Sequence, residues 1–420
     1  VLCFAGYPFI TTLLLPAISD IEGISQTVTI PYRAFALFVS ILVIIYNYKS
    51  SIATLPIALK ALLFFWGILI IRLFYDINIR VDVQLSHAST LWISVFGICM
   101  PAIISIIKSY RYINLDKAFK WILILLVIAL VISLFSNQAM LMSSDKIDVR
   151  QNANIALNSI SYGQLSTSII LLAFYGLSKK RQNLFVKVLL IFIILLSFLS
   201  LLRAGSRGPL LALVVTIYFF LFARAKNIVW GLTIMTILIA LTVVFAEPIL
   251  NFMGSYSPVM EGRLKHTIYE GDYSGRDPLF KQAITAFLDS PIWGKQFALF
   301  RSNGRFIYSH NIILDAFMGL GILGGGTMIY FLSVALKKSY NMIRINDAHF
   351  WLGLILVQLF VSSMISSCFY YDQLLSALLT FLFLKYKQNK IPFRKLKDYQ
   401  NQIERGKSII RVVTPNQFKS

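Results

Sequence analysis

Seven polar residues stand out in a chain otherwise dominated by apolar ones. Arg203, Ser206 and Arg207 fall in Arg203-Ala-Gly-Ser-Arg207-Gly-Pro, and Arg276 falls in Gly275-Arg276-Asp277-Pro278. His310, Asn311 and Asp315 fall in Ser309-His310-Asn311-Ile-Ile-Leu-Asp315. Arginine presents a planar fork that matches phosphate oxygens two at a time, so two arginine sites on one face can clamp a phosphate or pyrophosphate. A neutral imidazole near pH 7 can accept a proton from a hydroxyl, a role worth about 10²- to 10⁴-fold in rate. Asp315 is a carboxylate inside an apolar run, which marks it as a functional candidate. Each residue also has a plainer reading. The arginines could anchor the chain at lipid headgroups, and the histidine could cap a helix or pack at an interface.

The elements that must position these residues are apolar helices. Of 420 residues, 57% are hydrophobic and only 14% are charged, with a mean hydropathy of +0.73. That balance excludes an ordinary soluble domain. A helix crossing lipid needs roughly 20 apolar residues. Runs of this kind are expected at 1–18, 31–48, 56–75, 89–108, 118–136, 160–178, 184–202, 208–224, 228–247, 311–336, 350–370 and 372–386. The expectation is therefore an all-α polytopic membrane protein of about 12 transmembrane helices, forming one domain overall. Helices 1–9 occupy 1–250, a long loop with short amphipathic helices 251–310, helices 10–12 311–386 and a basic tail 387–420. Val1–Ile18 reads as a first span rather than a cleaved signal, because no basic leader precedes it.

Charge gives the orientation. An even number of spans puts both termini on one side. The loops and tail on that side hold most of the 39 Lys and Arg, around Lys108–Lys120, Lys179–Lys187, Lys337–Arg344 and Lys385–Lys419. By the positive-inside rule this side is cytoplasmic. The net charge of +21 then lies mostly against anionic lipid and gives no reason to expect nucleic acid binding. The opposite loops carry acids such as Asp20, Glu22, Asp76, Asp82, Asp145 and Asp148. In this orientation the Arg203–Arg207 turn, the 251–309 loop and His310 share the outer face.

Inside the loop, Asp277 is expected to cap a helix whose first residue is Pro278. Leu279, Phe280, Ala283, Ile284, Phe287 and Leu288 mark its apolar face. Arg276 would then stand at a helix N-terminus, where backbone N–H groups and the helix dipole favour an anion. Arg207, just before Gly208-Pro209, repeats the arrangement. Other patterns carry less. Gly319-x-Gly321-x-x-Gly324 fits a dinucleotide fingerprint, but it lies within a span and reads as close helix packing. Asp20-Ile-Glu22 and Glu270-Gly-Asp272 read as solvated loop acids rather than a metal site. Arg72 and Asp76 are four apart on one helix and are expected to pair. His87 and His266 fall in looser loops, and Cys3, Cys99 and Cys368 have no metal-like spacing.

Together the three motifs resemble the bacterial O-antigen polymerase and O-antigen ligase superfamily. Arg203-Ala-Gly-Ser-Arg-Gly-Pro-Leu-Leu-Ala-Leu is similar to its Ser-Arg-Gly segment. Arg276, a short helix and then Asp-Ser-Pro-Ile-Trp-Gly294 is similar to its outer-loop pattern. Ser-His310-Asn311-Ile-Ile-Leu-Asp315, with Gly319-Leu-Gly-Ile-Leu-Gly324, resembles its His-Asn-x-x-Leu-acid signature, where the acid is usually Glu. The resemblance covers about 130 residues, from Leu202 to Gly326.

The resemblance implies a C-type glycosyltransferase-like enzyme of the bacterial inner membrane, with both termini cytoplasmic and its active site facing the periplasm. Its donor would be an undecaprenyl-pyrophosphate-linked glycan, used without metal or cofactor. His310, Arg207 and Arg276 would be catalytic; Arg203, Ser206, Asn311 and Asp315 would bind substrate. The polymerase branch is favoured, with the ligase, which delivers the glycan to lipid A-core, as the alternative. A chain-length regulator is a further expected partner. A lipid-linked glycan transporter is the rival of a different class, and would line a cavity through the membrane's depth with charge.

Overall fold

The computed structural model describes residues 1–14, 24–50, 54–78, 91–135, 157–179, 182–271, 276–300 and 306–388. Asp20, Glu22, Asp82, His87, Asp145, Asp148, Asp272 and Gly275 lie outside the described residues.

Long apolar stretches with few charges can satisfy their backbone groups in lipid only as helices, and helices dominate. A π-helical turn Leu2–Gly6 leads into α1 (Tyr7–Leu14). There follow α2 (Ile24–Tyr46), α3 (Ile57–Asn78), α4 (Leu91–Tyr112), α5 (Leu115–Phe135), α6 (Ser159–Ser178), α7 (Leu184–Arg203) and α8 (Arg207–Arg224). After α9 (Ile228–Val244) come three shorter helices, α10 (Ala246–Tyr256), α11 (Pro258–Tyr269) and α12 (Asp277–Asp289). A two-residue ribbon pairs β1 (Leu299–Phe300) with β2 (Phe306–Ile307), before α13 (Ile312–Arg344), α14 (Trp351–Ser366) and α15 (Gln373–Gln388). Asn158, Asn183 and Asn227 start α6, α7 and α9 as side-chain caps, each satisfying a backbone N–H that the helix leaves open.

Among the described residues eight helices are long and apolar enough to cross a membrane, or nine if α9 and α10 form one bent span. Helices Leu2–Leu13, Trp351–Ser366 and Gln373–Lys385 are apolar but shorter. The fold is that of a polytopic helical membrane protein.

Val1–Leu384 is the first of two units along the chain. The core of the first unit centres on Phe65, Trp66, Phe331 and Phe369, whose rings meet edge-on or tilted at 5.2–6.1 Å. Such aromatic pairs contribute about 0.5–1.5 kcal/mol each beyond area burial. They join α3 to α13 and to the turn between α14 and α15.

Four expectations need correction. The span expected to end at 247 bends by 65° between α9 and α10, so the boundary drawn at 250 falls inside a helix. The span expected over 311–336 runs from Ile312 to Arg344 and breaks at Gly321 (φ 61°, ψ −157°). Asp76 is not a loop acid: it lies in α3, 3% exposed, 2.9 Å from Arg72, and the expected pairing with Arg72 is present. His266 sits in α11, with Nδ1 2.6 Å from Glu270; an i,i+4 pair is what helical spacing places together.

Candidate functional site

The α7–α8 turn forms because Gly205 takes the left-handed backbone (φ 58°) that ends a helix without steric penalty. Ser206, buried, is the N-cap of α8 but makes no side-chain cap bond. The start of α8 is seated firmly. Pro209 lies against Gly163 of α6, where an added Cβ would come within 2.8 Å of the proline ring. Thr167 also donates to the Pro209 carbonyl at 3.2 Å. Arg207, the first residue of α8, reaches across to α11. Its Nη1 donates to the Arg263 carbonyl at 2.8 Å and to the Thr267 hydroxyl. Arg263 returns a bond to the Gly205 carbonyl at 3.3 Å. Arg203, on the last turn of α7, is exposed.

Arg276 is itself the N-cap of α12, and Asp277 and Pro278 are the first two helical residues, so the helix starts one position earlier than the expected Asp277 cap. The buried stripe of α12 is Leu279, Ala283 and Ala286, packed with Leu299 and Met318. Ile284 and Leu288, expected on that face, are exposed, because the stripe follows i, i+4, i+7 from Leu279. Arg276 Nη1 donates to the Ile365 carbonyl, one of the carbonyls that the end of α14 leaves open. Next to Arg207, a Cβ on Gly208 would stand 3.2 Å from Ser366 Oγ. Both arginine elements therefore meet the same end of α14.

His310 opens α13 in a left-handed conformation (φ 64°), which costs a non-glycine residue about 1–3 kcal/mol and persists only where neighbours enforce it. The neighbours are explicit. The Ser309 N–H donates to Asp315 Oδ1 at 2.9 Å. Ser309 Oγ donates to the Asn311 carbonyl at 3.0 Å and accepts the Asn311 N–H at 3.2 Å. Asn311 Oδ1 caps the helix by accepting from Ile313 and Leu314 at 3.0 and 3.1 Å. Asp315 is fully buried, and its carbonyl accepts the Tyr370 hydroxyl at 2.8 Å. Asn311 and Asp315 thus bond to the loop and first turn that carry the histidine.

The His310 ring lies 4.5 Å from the Tyr308 ring, edge to face. Burial pushes the Tyr308 phenol above its ordinary pKa; Cys368 and Asp315 add to the shift and the Arg276 charge opposes it. Sequence reasoning missed Tyr308, Thr267 and Tyr370. Tyr308 adjoins the histidine motif; Thr267 and Tyr370 carry no local signal.

The fold and this constellation define a polytopic helical membrane protein in which two arginine elements meet at one helix end and a strained histidine precedes α13. Residues 192–329 match a family model described as O-antigen ligase. That match spans all three motifs and supports the O-antigen polymerase/ligase superfamily that they resemble. No curated protein matches the chain.

Proposed function

We propose that the chain is an inner-membrane glycosyltransferase that joins undecaprenyl-pyrophosphate-linked oligosaccharide repeat units at the periplasmic face, an O-antigen polymerase. The observation that carries this reading is the meeting of the Arg207 and Arg276 elements at the Ile365–Ser366 end of α14, with His310 held against Tyr308 just before α13. The family match over the same segment supports it.

A guanidinium carries five N–H donors, so it can hold a protein carbonyl and a phosphate oxygen together. Arg207 and Arg276 would bind the lipid pyrophosphate and neutralise the charge that grows as it departs. A clamp that strengthens as charge develops lowers the barrier rather than only the substrate's energy. His310 would take the proton from the acceptor hydroxyl as that oxygen attacks the anomeric carbon from the face opposite the leaving group. The new glycosidic bond forms as the bond to the pyrophosphate breaks, and the configuration inverts. Arg203, exposed near the same turn, would guide the headgroup. This reading invokes no metal.

The family description favours a second reading, the ligase, in which lipid A-core replaces the second repeat unit as acceptor. Purified protein given lipid-linked repeat units with and without lipid A-core separates the two. A product ladder from the donor alone is expected. Transfer only in the presence of lipid A-core would make the chain a ligase, and verified donor binding with no transfer in either reaction would sink both enzyme readings.

A further inference from the structure

The glycosyl-transfer reading leaves unused the most buried ion pair of the described residues. Arg72 and Asp76 lie in α3 with side chains 6% and 4% exposed. The pairing with Asp76 occupies only Nε, at 2.9 Å. Nη1 donates to the Trp293 and Gly294 carbonyls at 2.6 and 2.7 Å, and Nη2 to the Lys295 carbonyl at 3.1 Å. One guanidinium thus gathers three consecutive carbonyls of a turn more than 200 residues away. Buried charge is costly unless paired and fully hydrogen-bonded, so this arrangement needs a purpose beyond bundle packing.

The turn that Arg72 holds completes a broken helix. With Gly321 out of helical geometry, Ile322 cannot bond back to the Met318 carbonyl. Both groups face the same turn and both find partners there. The Met318 carbonyl accepts from Lys295 and Gln296 at 2.8 and 3.3 Å, and the Ile322 N–H donates to the Pro291 carbonyl at 2.8 Å. Buried backbone groups are almost always satisfied, and here the 291–296 turn supplies both partners. The fit is close. A Cβ on Gly321 would be 2.2 Å from the Ile292 carbonyl oxygen, and one on Gly294 would be 2.4 Å from the Gly319 carbonyl carbon.

A line of contacts leads from the clamp to the histidine. The Arg72 guanidinium stands 6.0 Å from the Phe297 ring centre, and Phe297 meets Tyr370 edge-on at 5.4 Å. The Tyr370 hydroxyl holds the Asp315 carbonyl, and the Asp315 carboxylate holds the Ser309 N–H beside His310. The first turns of α13, above the break, are thus tied to α3 and are not simply a continuation of the lower helix.

We propose that Arg72, held by Asp76, is a positioning residue: by fixing the 291–296 turn in the break of α13 it sets the direction of the upper α13 turns and therefore the aim of His310. The catalytic consequence rests on the glycosyl-transfer reading; the structural one does not. Lysine at position 72 keeps the charge and loses the fork.

The test compares the full chain with Arg72→Lys, both reconstituted in phospholipid nanodiscs, by amide hydrogen exchange and by turnover of an undecaprenyl-pyrophosphate-linked oligosaccharide. Arg72→Lys should speed exchange over Ser309–Leu314 as well as over Trp293–Gln296. It should lower kcat by up to ~10²-fold, the scale of a small misplacement of a reacting group, with KM for the donor changed by less than about twofold, because binding groups are untouched. Faster exchange confined to Trp293–Gln296 would overturn the proposal, since the clamp would then not reach the histidine. Wild-type kcat despite loosened Ser309–Leu314 would overturn it equally. If wild-type protein transfers no glycan at all, the glycosyl-transfer reading fails, and the exchange comparison alone decides whether the clamp positions α13. Should Arg72→Lys not fold, Asp76→Asn, which preserves volume and releases the guanidinium from its carboxylate, is read by the same two measurements.

Discussion

The Asp315 carboxylate accepts the Ser309 backbone N–H at 2.9 Å, six residues back along the chain, while 0% of Asp315 is exposed. This single bond ties the strained residue at position 310 to the first turn of the helix it opens. A carboxylate that spends an oxygen on backbone is a scaffold for its neighbour, and that places Asp315 behind the histidine.

Asparagine at position 315 keeps an acceptor oxygen of the same reach. Asp315→Asn should therefore retain folding and most activity, whereas Asp315→Ala strands a buried N–H at a cost of about 1–3 kcal/mol. Thermal unfolding in detergent, read beside turnover, checks both. Asp315→Glu is informative because the family signature usually carries Glu. An extra methylene in a fully buried site costs about 1–3 kcal/mol unless the loop shifts, so a lower unfolding temperature with altered turnover is expected.

For His310, asparagine is the sharper substitution. Asparagine tolerates positive φ better than most residues, so His310→Asn preserves the loop and removes only the imidazole. If the ring is the general base, turnover falls by about 10²- to 10⁴-fold while binding of the lipid-linked donor persists. Donor binding measured on the same preparation separates the two quantities. Equal turnover in wild type and His310→Asn would remove the ring from the mechanism.

The arginines should respond differently from each other. Arg276→Lys keeps a charge at the start of α12 but cannot hold Ile365 and a phosphate in one plane. A loss of about 10²- to 10³-fold in kcat is expected for removal of a preorganised donor. Arg207→Lys should show a comparable loss together with a looser α11, because its guanidinium also bonds Arg263 and Thr267. Arg203→Lys, at an exposed position, should change turnover little and KM more. Steady-state kinetics on the three variants distinguishes these patterns.

Much of this site was legible in sequence because its side chains sit at helix starts, where residue type and position speak together. Arg207 before Gly208-Pro209, Arg276 before Asp277-Pro278 and His310 before Asn311 each mark the opening of a helix that the structure contains. What was hidden depends on distance along the chain or on a backbone angle. The Arg72–Asp76 pair follows from i,i+4 spacing, but its three carbonyl partners lie more than 200 residues on. The α9–α10 bend falls just before Glu247-Pro248, where the apolar run stops but helix resumes. Gly319, Gly321 and Gly324 were read as helix packing. Instead Gly321 breaks α13, and Gly319 and Gly321 admit a loop; only Gly324 faces its own helix, at Leu320.

That last distinction gives a paired prediction within one helix. Gly321 combines φ 61° with an added Cβ only 2.2 Å from a backbone oxygen, and backbone cannot swing aside as a side chain does. Gly321→Ala should lower the unfolding temperature and loosen the turn that Arg72 holds, since this essentially glycine-only backbone geometry costs other residues about 1–3 kcal/mol and the overlap adds to it. Gly326 lies five residues later, with helical backbone and nothing within 4 Å of an added Cβ. There alanine removes a glycine from a helix interior, worth about 0.8–1.0 kcal/mol in favour of the fold, so Gly326→Ala should be neutral or mildly stabilising. If both variants unfold alike, the break at Gly321 is not held by the docked turn, and the glycines are helix-packing residues after all.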